Sequence, residues 1–284
     1  MKPAQLARRL SPLLPVLRCP RCAGAFILTD QSLVCERGHC YDLSRRGYVN
    51  LAPAHDQSGE KYDGTLFESR RLVLEGGFYE PVLEAVCALL PDGRPFTLLD
   101  VGCGEGYYAR QIAQSFPLSR VLGVDLSRDA ITAAARIPGR EAWLVADLKH
   151  LPLADASADI VLDVLTPADY EAFARVLKPD GLLIKAVPGA DYLREVRQAV
   201  SPWLRGGSAY DNARVLEHLR AHAHVLSETE VRVTRALTPE LSRAFARMTP
   251  MTFSVPREAL DALTLPSITI HMHVLACRLY TKTK

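Results

Sequence analysis

Four of the seven cysteines crowd together at Cys19, Cys22, Cys35 and Cys40, with His39 beside the last. In a chain where no secretion signal is read, clustered cysteines point to metal more than to disulfides. Cys19-Pro-Arg-Cys22 is a zinc knuckle, in which two thiolates two residues apart grip one face of a tetrahedral ion. Cys35-Glu-Arg-Gly-His39-Cys40 can supply the other two ligands. Cys35 with His39 leaves a three-residue gap and Cys35 with Cys40 a four-residue gap, and both can close. His39 is the expected fourth ligand, with Cys40 the alternative and otherwise a small buried thiol. Four protein ligands leave no open position for water, so this zinc is expected to hold a fold and not to do chemistry.

Three acids form the second chemical set, each at the end of an apolar run. Phe96 to Val101 reads as a buried parallel strand containing Asp100, and it leads into Gly102-Cys103-Gly104-Glu105-Gly106. Glycines permit the tight turn and let backbone approach a ligand closely. A second strand, Arg120 to Asp125, ends in an acid placed for ribose hydroxyls, and a third, Ala142 to Ala146, ends at Asp147-Leu148, where an acid and an apolar neighbour suit an adenine. A dinucleotide fingerprint counted from Gly102 needs its third glycine at 107, which is Tyr107. An acid beside the loop also repels pyrophosphate but attracts an ammonium and a sulfonium. The expected ligand is therefore S-adenosylmethionine (SAM), held at Asp100, Gly102, Gly104, Glu105, Asp125, Asp147 and Leu148.

The elements that must position these residues follow from pattern. Short strands at 26–28 and 33–34 around a turn would return the second ligand pair to the first. A segment of about fifty residues gathers little core, and metal binding would supply the missing folding energy. Residues 1–55 are read as a zinc-binding, RNA-recognition module, 56–77 as linker and helix, and 78–284 as the catalytic domain. Helices are expected at 66–74, from 78 through 90, and at 107–115. Further strands at 158–165 and 182–187 and a helix at 168–177 extend an alternation that implies a parallel sheet covered on both faces. Helices at 191–204, 211–222 and 239–248, with strands at 231–236 and 267–280, complete it. The fold class is α/β, Rossmann-like. His271 and His273 alternate onto one strand face and are read as structural.

Composition excludes other classes. At 48% hydrophobic and 23% charged residues the chain is globular. No apolar run approaches the roughly 18 residues of a membrane helix, and Pro12 and Pro15 interrupt the only early apolar patch, so a cytoplasmic protein is expected. Net charge is +2, yet residues 1–55 hold eight Lys or Arg against three acids, so they carry +5 and the remainder −3. That asymmetry fits a basic recognition module on a near-neutral body.

Together these residues resemble the RlmA-type guanine-N1 methyltransferases of 23S ribosomal RNA. The resemblance runs through the Cys19/Cys22/Cys35/His39 knuckle, Gly47-Tyr48-Val49-Asn50-Leu51, Arg70-Arg71, Gly77-Phe78-Tyr79-Glu80-Pro81, the segment from Leu99 to Tyr108, Pro188-Gly189 with Tyr192-Leu193, and Met248-Thr249-Pro250. It implies a class I methyltransferase domain with a small N-terminal zinc-binding domain, SAM and zinc as cofactors, and a homodimer. It also implies methyl transfer to a guanine N1 in a 23S rRNA hairpin loop near the peptide exit tunnel, with an effect on macrolide susceptibility. SAM would lie against Gly104 and Glu105, with Tyr79 closing over it and Tyr192 standing where some members have histidine. Asp180 replaces a glycine of the family's Lys-Pro-Gly-Gly turn.

Guanine N1 carries a proton that must leave before or during transfer, and Asp163, or a water near Thr166, is the candidate acceptor. The base would be unstacked from its loop and read on its Watson–Crick edge. Arg45, Arg46, Arg70 and Arg71 are the expected phosphate contacts. The alternative reading is a SAM-dependent methyltransferase acting on a small molecule, with zinc bracing the N-terminus; a different class is a SAM-binding regulator or zinc-based RNA-binding module without catalysis.

Overall fold

The computed structural model describes residues 3–52, 64–204 and 210–280. The chain opens on helix α1 (Pro3–Leu10), whose Leu6 and Leu10 are fully buried. A zinc-ribbon sheet follows, in which β1 (Phe26–Leu28), β2 (Ser32–Cys35) and β3 (Cys40–Asp42) pair antiparallel in that order. The first two are the expected hairpin, in register Phe26↔Cys35. The third is additional, formed where Cys40 pairs with Val34. Next come β4 (Val49–Asn50), α2 (Gly64–Glu75), α3 (Glu80–Cys87), β5 (Thr97–Val101), α4 (Tyr107–Ser115), β6 (Arg120–Asp125), α5 (Arg128–Arg136) and β7 (Ala142–Val145). The chain continues through β8 (Ala158–Val164), α6 (Tyr170–Val176), β9 (Leu177–Pro188), α7 (Arg194–Ala199), α8 (Ala213–His222), β10 (Ala223–Ala236), α9 (Pro239–Arg247), α10 (Arg257–Asp261) and β11 (Ser267–Leu279).

The main sheet has the order β10-β11-β9-β8-β5-β6-β7-β4. Pairing is parallel from β4 to β9 and antiparallel where β11 joins β9 and β10. All five residues of β5 are buried, as a strand covered on both faces requires. Lys178 to Gly181, read from sequence as a turn before the fifth catalytic strand, lies within β9 as a loop-out: pairing with β8 jumps from Ala158↔Leu177 to Ile160↔Leu182. The helix expected over 191–204 is shorter, ending at Ala199 with a 3-10 turn at Ser201–Trp203. His271 and His273 are side by side on β11, facing Glu230 and Glu228 at 3.0 and 2.8 Å.

The N-terminal segment is built into the catalytic sheet. Val49 and Asn50 pair in parallel with Leu144 and Val145, so the edge strand comes from the zinc-bearing part of the chain. Between β7 and β8 the chain makes only a 3-10 turn, Leu148–His150, and no helix. The face left bare is covered by Leu6, Leu10, Leu13 and Leu17, which share one buried cluster with Leu99, Leu122, Leu144 and Val161. Backbone bonds lock the seam, Arg18 N–H to Pro152 O at 2.9 Å and Ala154 N–H to Val16 O at 2.8 Å. Each leucine so buried contributes roughly 1.5–3 kcal/mol. The boundary expected near residue 55 therefore does not separate two cores.

Candidate functional site

Cys19, Cys22, Cys35 and His39 each bring one ligand atom to within 4.8 Å of all the others. Cys22 and Cys35 Sγ are 3.6 Å apart, and His39 Nδ1 is 3.5 Å from Cys19 Sγ and 3.3 Å from Cys35 Sγ. These are close to the edges of a tetrahedron with metal bonds of about 2.0–2.3 Å, so the donor set fits zinc. His39 reaches in through the three-residue gap. Cys40 does not: it is exposed on β3, and the buried-thiol role foreseen for it is corrected.

The second site lies where β5 and β8, neighbours in the sheet, send their chains to opposite sides, the usual place for a ligand in an open α/β sheet. Its cavity is lined by Asp100, Gly102, Gly104 and Glu105 from the glycine loop, by Tyr79 and Tyr192, and by Arg70. Each loop glycine has a different reason. A Cβ on Gly102 would stand 2.3 Å from Thr166 Oγ1, and one on Gly106 would stand 2.2 Å from the indole of Trp143. Among the described residues, a Cβ on Gly104 would meet only Arg70 Nη1, at 3.8 Å. The loop is braced by Asp125, which accepts from Gly104 N–H at 2.9 Å and Ser127 N–H at 2.8 Å.

The cavity is electrostatically poised for a cation. Burial pushes the Asp100 carboxyl well above its usual range, with Asp125, Glu105 and Asp163 adding repulsion. Asp100 Oδ2 is buried with no partner among the described residues. Burial also raises Glu105, opposed by Arg70, and raises Asp125, opposed chiefly by the amides of Ser127 and Gly104. Arg70 is the one basic side chain among the described lining residues. Its Nε donates to Met248 O at 2.9 Å. Tyr79 and Tyr192 meet hydroxyl to hydroxyl at 2.6 Å; burial pushes Tyr192 up to about 12 and also raises Tyr79 well above the ordinary tyrosine range.

Other expected residues lie apart from this cavity. Asp147 caps the turn after β7, accepting from Lys149 N–H at 3.0 Å, with Leu148 half-buried beside it. Asp163 is fully buried, receives Lys185 Nζ at 2.6 Å, and is absent from the described lining. Arg45 and Arg46 lie in a groove beside α1, and Arg71 in an adjoining one. Sequence reasoning did not give Leu165 or Met248 to Pro250 as cavity wall. Leu165 sits at φ +57, a left-handed conformation costly for leucine, where β8 ends at the cavity. Thr249 accepts from Met251 N–H at 3.3 Å, a cap readable from Thr249-Pro250 in sequence.

Comparisons with known proteins agree with this arrangement. Residues 17–59 match a family described as "RlmA, N-terminal", a zinc ribbon, and residues 99–185 match "Methyltransferase domain". A protein of Bacillus subtilis (strain 168), YxjB, named as a candidate 23S rRNA (guanine-N(1)-)-methyltransferase, is 35% identical over 261 residues, covering 87% of this chain and 90% of that protein. The 23S rRNA (guanine(748)-N(1))-methyltransferase of Streptomyces fradiae is 28% identical over 92% of this chain and 96% of its own. A Micromonospora griseorubida protein, likewise a candidate 23S rRNA (guanine-N(1)-)-methyltransferase, is 32% identical over 74% of this chain and 77% of its own.

Proposed function

The chain belongs to the 23S rRNA (guanine-N1)-methyltransferase family, and on that premise we propose that it methylates N1 of a guanine in a 23S rRNA hairpin loop near the peptide exit tunnel. When bound, SAM supplies a methyl group already activated on a sulfonium, so the protein's task is chiefly to hold and align. The observation that carries the reading is Asp100 Oδ2, a buried carboxyl oxygen without a partner among the described residues, in a cavity crowded with acids. Such a group suits a ligand with an ammonium and a sulfonium.

In this reading Asp100 takes the ammonium and Gly102, Gly104 and Glu105 line the methionine arm. Asp125 takes the ribose, Asp147 with Leu148 takes the adenine, and the Tyr79–Tyr192 pair closes over the cofactor. Arg70, expected from sequence to hold phosphate, is better suited to the SAM carboxylate, being the basic group in the cavity wall. The guanine would enter past Leu165 and Thr166. Asp163, sealed by Lys185, serves as a positioning residue for the end of β8. The N1 proton would leave to solvent at the Thr166 side of the cavity, where Leu165 and Thr166 line its wall.

No described helix is long and apolar enough to cross a membrane. Cytoplasmic location, homodimeric assembly and an effect on macrolide susceptibility belong to the same proposal. The test is methyl transfer from labelled SAM to 23S rRNA from a strain lacking the gene, read by digestion and mass spectrometry. One 1-methylguanosine in one hairpin supports it. SAM binding with methylation of a free metabolite and not of rRNA or assembled subunits would replace it with the small-molecule enzyme.

A further inference from the structure

Beside the zinc ribbon, the seam between the N-terminal segment and the catalytic domain forms a groove with an unusual lining. Arg8 and Arg9 come from the last turn of α1, Arg45 and Arg46 from the turn before β4, and Arg136 from the last turn of α5. No acid is among its described lining residues. An arginine at a helix C-terminus offsets that helix's dipole. Offsetting two helix ends does not require three segments to aim their guanidinium groups at one channel, where like charges repel.

Two polar groups in the wall have no hydrogen-bond partner among the described residues. Thr132 is 7% exposed, and its Oγ1 is sealed from solvent with no hydrogen bond; Arg9 Nη1 is likewise sealed and unbonded. The channel also leads toward the chemistry. An adjoining groove shares Arg46, Thr132 and Arg136, adds Arg71 together with the acids Glu68, Asp129 and Glu105, and meets the SAM cavity at Glu105, so the basic stretch ends before the cavity is reached. Arg8 and Arg9 precede residue 17, where the zinc-ribbon similarity begins, so this wall is contributed from outside that matched segment.

We infer that this seam groove binds the sugar–phosphate backbone of the RNA strand flanking the target guanine, with Arg8, Arg9, Arg46 and Arg136 on its phosphates. The inference rests on the RNA reading above and adds the path by which the strand reaches the cavity. Guanidinium forks match phosphate oxygens in bidentate pairs. Backbone contacts of this kind fix register and orientation while the base itself is read elsewhere.

The test uses the full-length, zinc-loaded protein and a transcript of the 23S rRNA hairpin region. Arg8 and Arg136 are both exposed, so Arg8→Gln with Arg136→Gln leaves packing intact, while Arg9, partly buried, is kept. The double variant should bind the transcript at least tenfold more weakly. Its plot of log K against log salt should flatten by about 1.4–1.8, at about 0.7–0.9 per lost contact, with SAM affinity and zinc content unchanged. Arg8→Lys with Arg136→Lys, which keeps the charge, should keep the wild-type slope. Wild-type affinity and slope in the Gln variant would overturn the groove while leaving the RNA reading in place. A wild-type protein that binds SAM but no RNA would overturn both.

Discussion

Arg70 on α2 donates its Nε to the main-chain carbonyl of Met248, 178 residues further along the chain, at 2.9 Å. That bond ties the helix before the catalytic sheet to the turn after α9 and sets Arg70 Nη1 beside Gly104. A basic group so placed should recognise carboxylate. Wild-type protein is expected to prefer SAM over decarboxylated SAM by roughly 10–100-fold, the worth of a charge-assisted pair of about 1.5–3 kcal/mol. Arg70→Gln should abolish the preference while binding the decarboxylated ligand nearly as well as wild type. Calorimetry that finds the same loss for both ligands would remove Arg70 from that role.

The crowded acids give SAM binding a pH signature. Burial raises Asp100, Glu105 and Asp125 in the folded, ligand-free protein. Their neutral forms are therefore favoured on folding, and this contribution is full below the usual carboxylate range and is lost as pH rises through their raised values. A bound cation offsets the charge that then develops. The increase in melting temperature caused by saturating SAM should therefore grow from pH 5 to pH 8. A shift that is flat or shrinks across that range would count against a cationic ligand at Asp100.

Gly106 is at φ +75, and its missing Cβ makes room for Trp143, which is fully buried. Gly106→Ala should cost about 2–5 kcal/mol, combining about 1–2 for the left-handed backbone with about 1–3 for overpacking. Shrinking the indole in Gly106→Ala with Trp143→Phe should recover part of this. Gly104→Ala, open toward the cavity, should be milder in denaturant melts and should act mainly on SAM affinity. Equal stability losses at the two glycines would refute the division of labour.

Asp163 and Lys185 form a buried pair at 2.6 Å, with side chains 0% and 4% exposed. Asp163→Asn leaves a buried ammonium without its partner and should lower stability by about 3–5 kcal/mol. Asp163→Leu with Lys185→Met should restore much of it. Folded Asp163→Asn enzyme should keep the wild-type pH dependence of kcat. Loss of the acidic limb of that profile, where the rate falls as an essential base is protonated, would return Asp163 to the role of proton acceptor.

Much of this was legible in sequence because each signal was local. Helix α4 at 107–115 and strand β6 at 120–125 begin and end where the glycine loop, the apolar run and the terminal acid place them. Spacing pointed to Cys19, Cys22 and Cys35 and left His39 and Cys40 open for the fourth place, where the structure brings His39; Tyr79 and Tyr192 do converge on one cavity. What was not legible depended on partners distant in the chain. Arg70 and Arg71 are adjacent and alike in type, yet one lines the cavity and the other an outer groove. Asp163 reads in sequence as a candidate proton acceptor, whereas its partner Lys185 lies on the neighbouring strand, out of reach of any local pattern. The edge strand at Val49 carries two residues, too short for any periodicity to report.

That short edge has a consequence for how the protein is made. Val49 must wait for Leu144, ninety-five positions later, before it can pair. At roughly 5–20 residues per second of synthesis, the segment spends on the order of 5–20 s with its leucines uncovered. Its metal can close the ribbon during that interval, since all four ligands precede residue 40. Zinc would then guard a nascent chain against misassociation before it supports any finished enzyme, and scarcity of the metal would be felt first as lost yield of new protein.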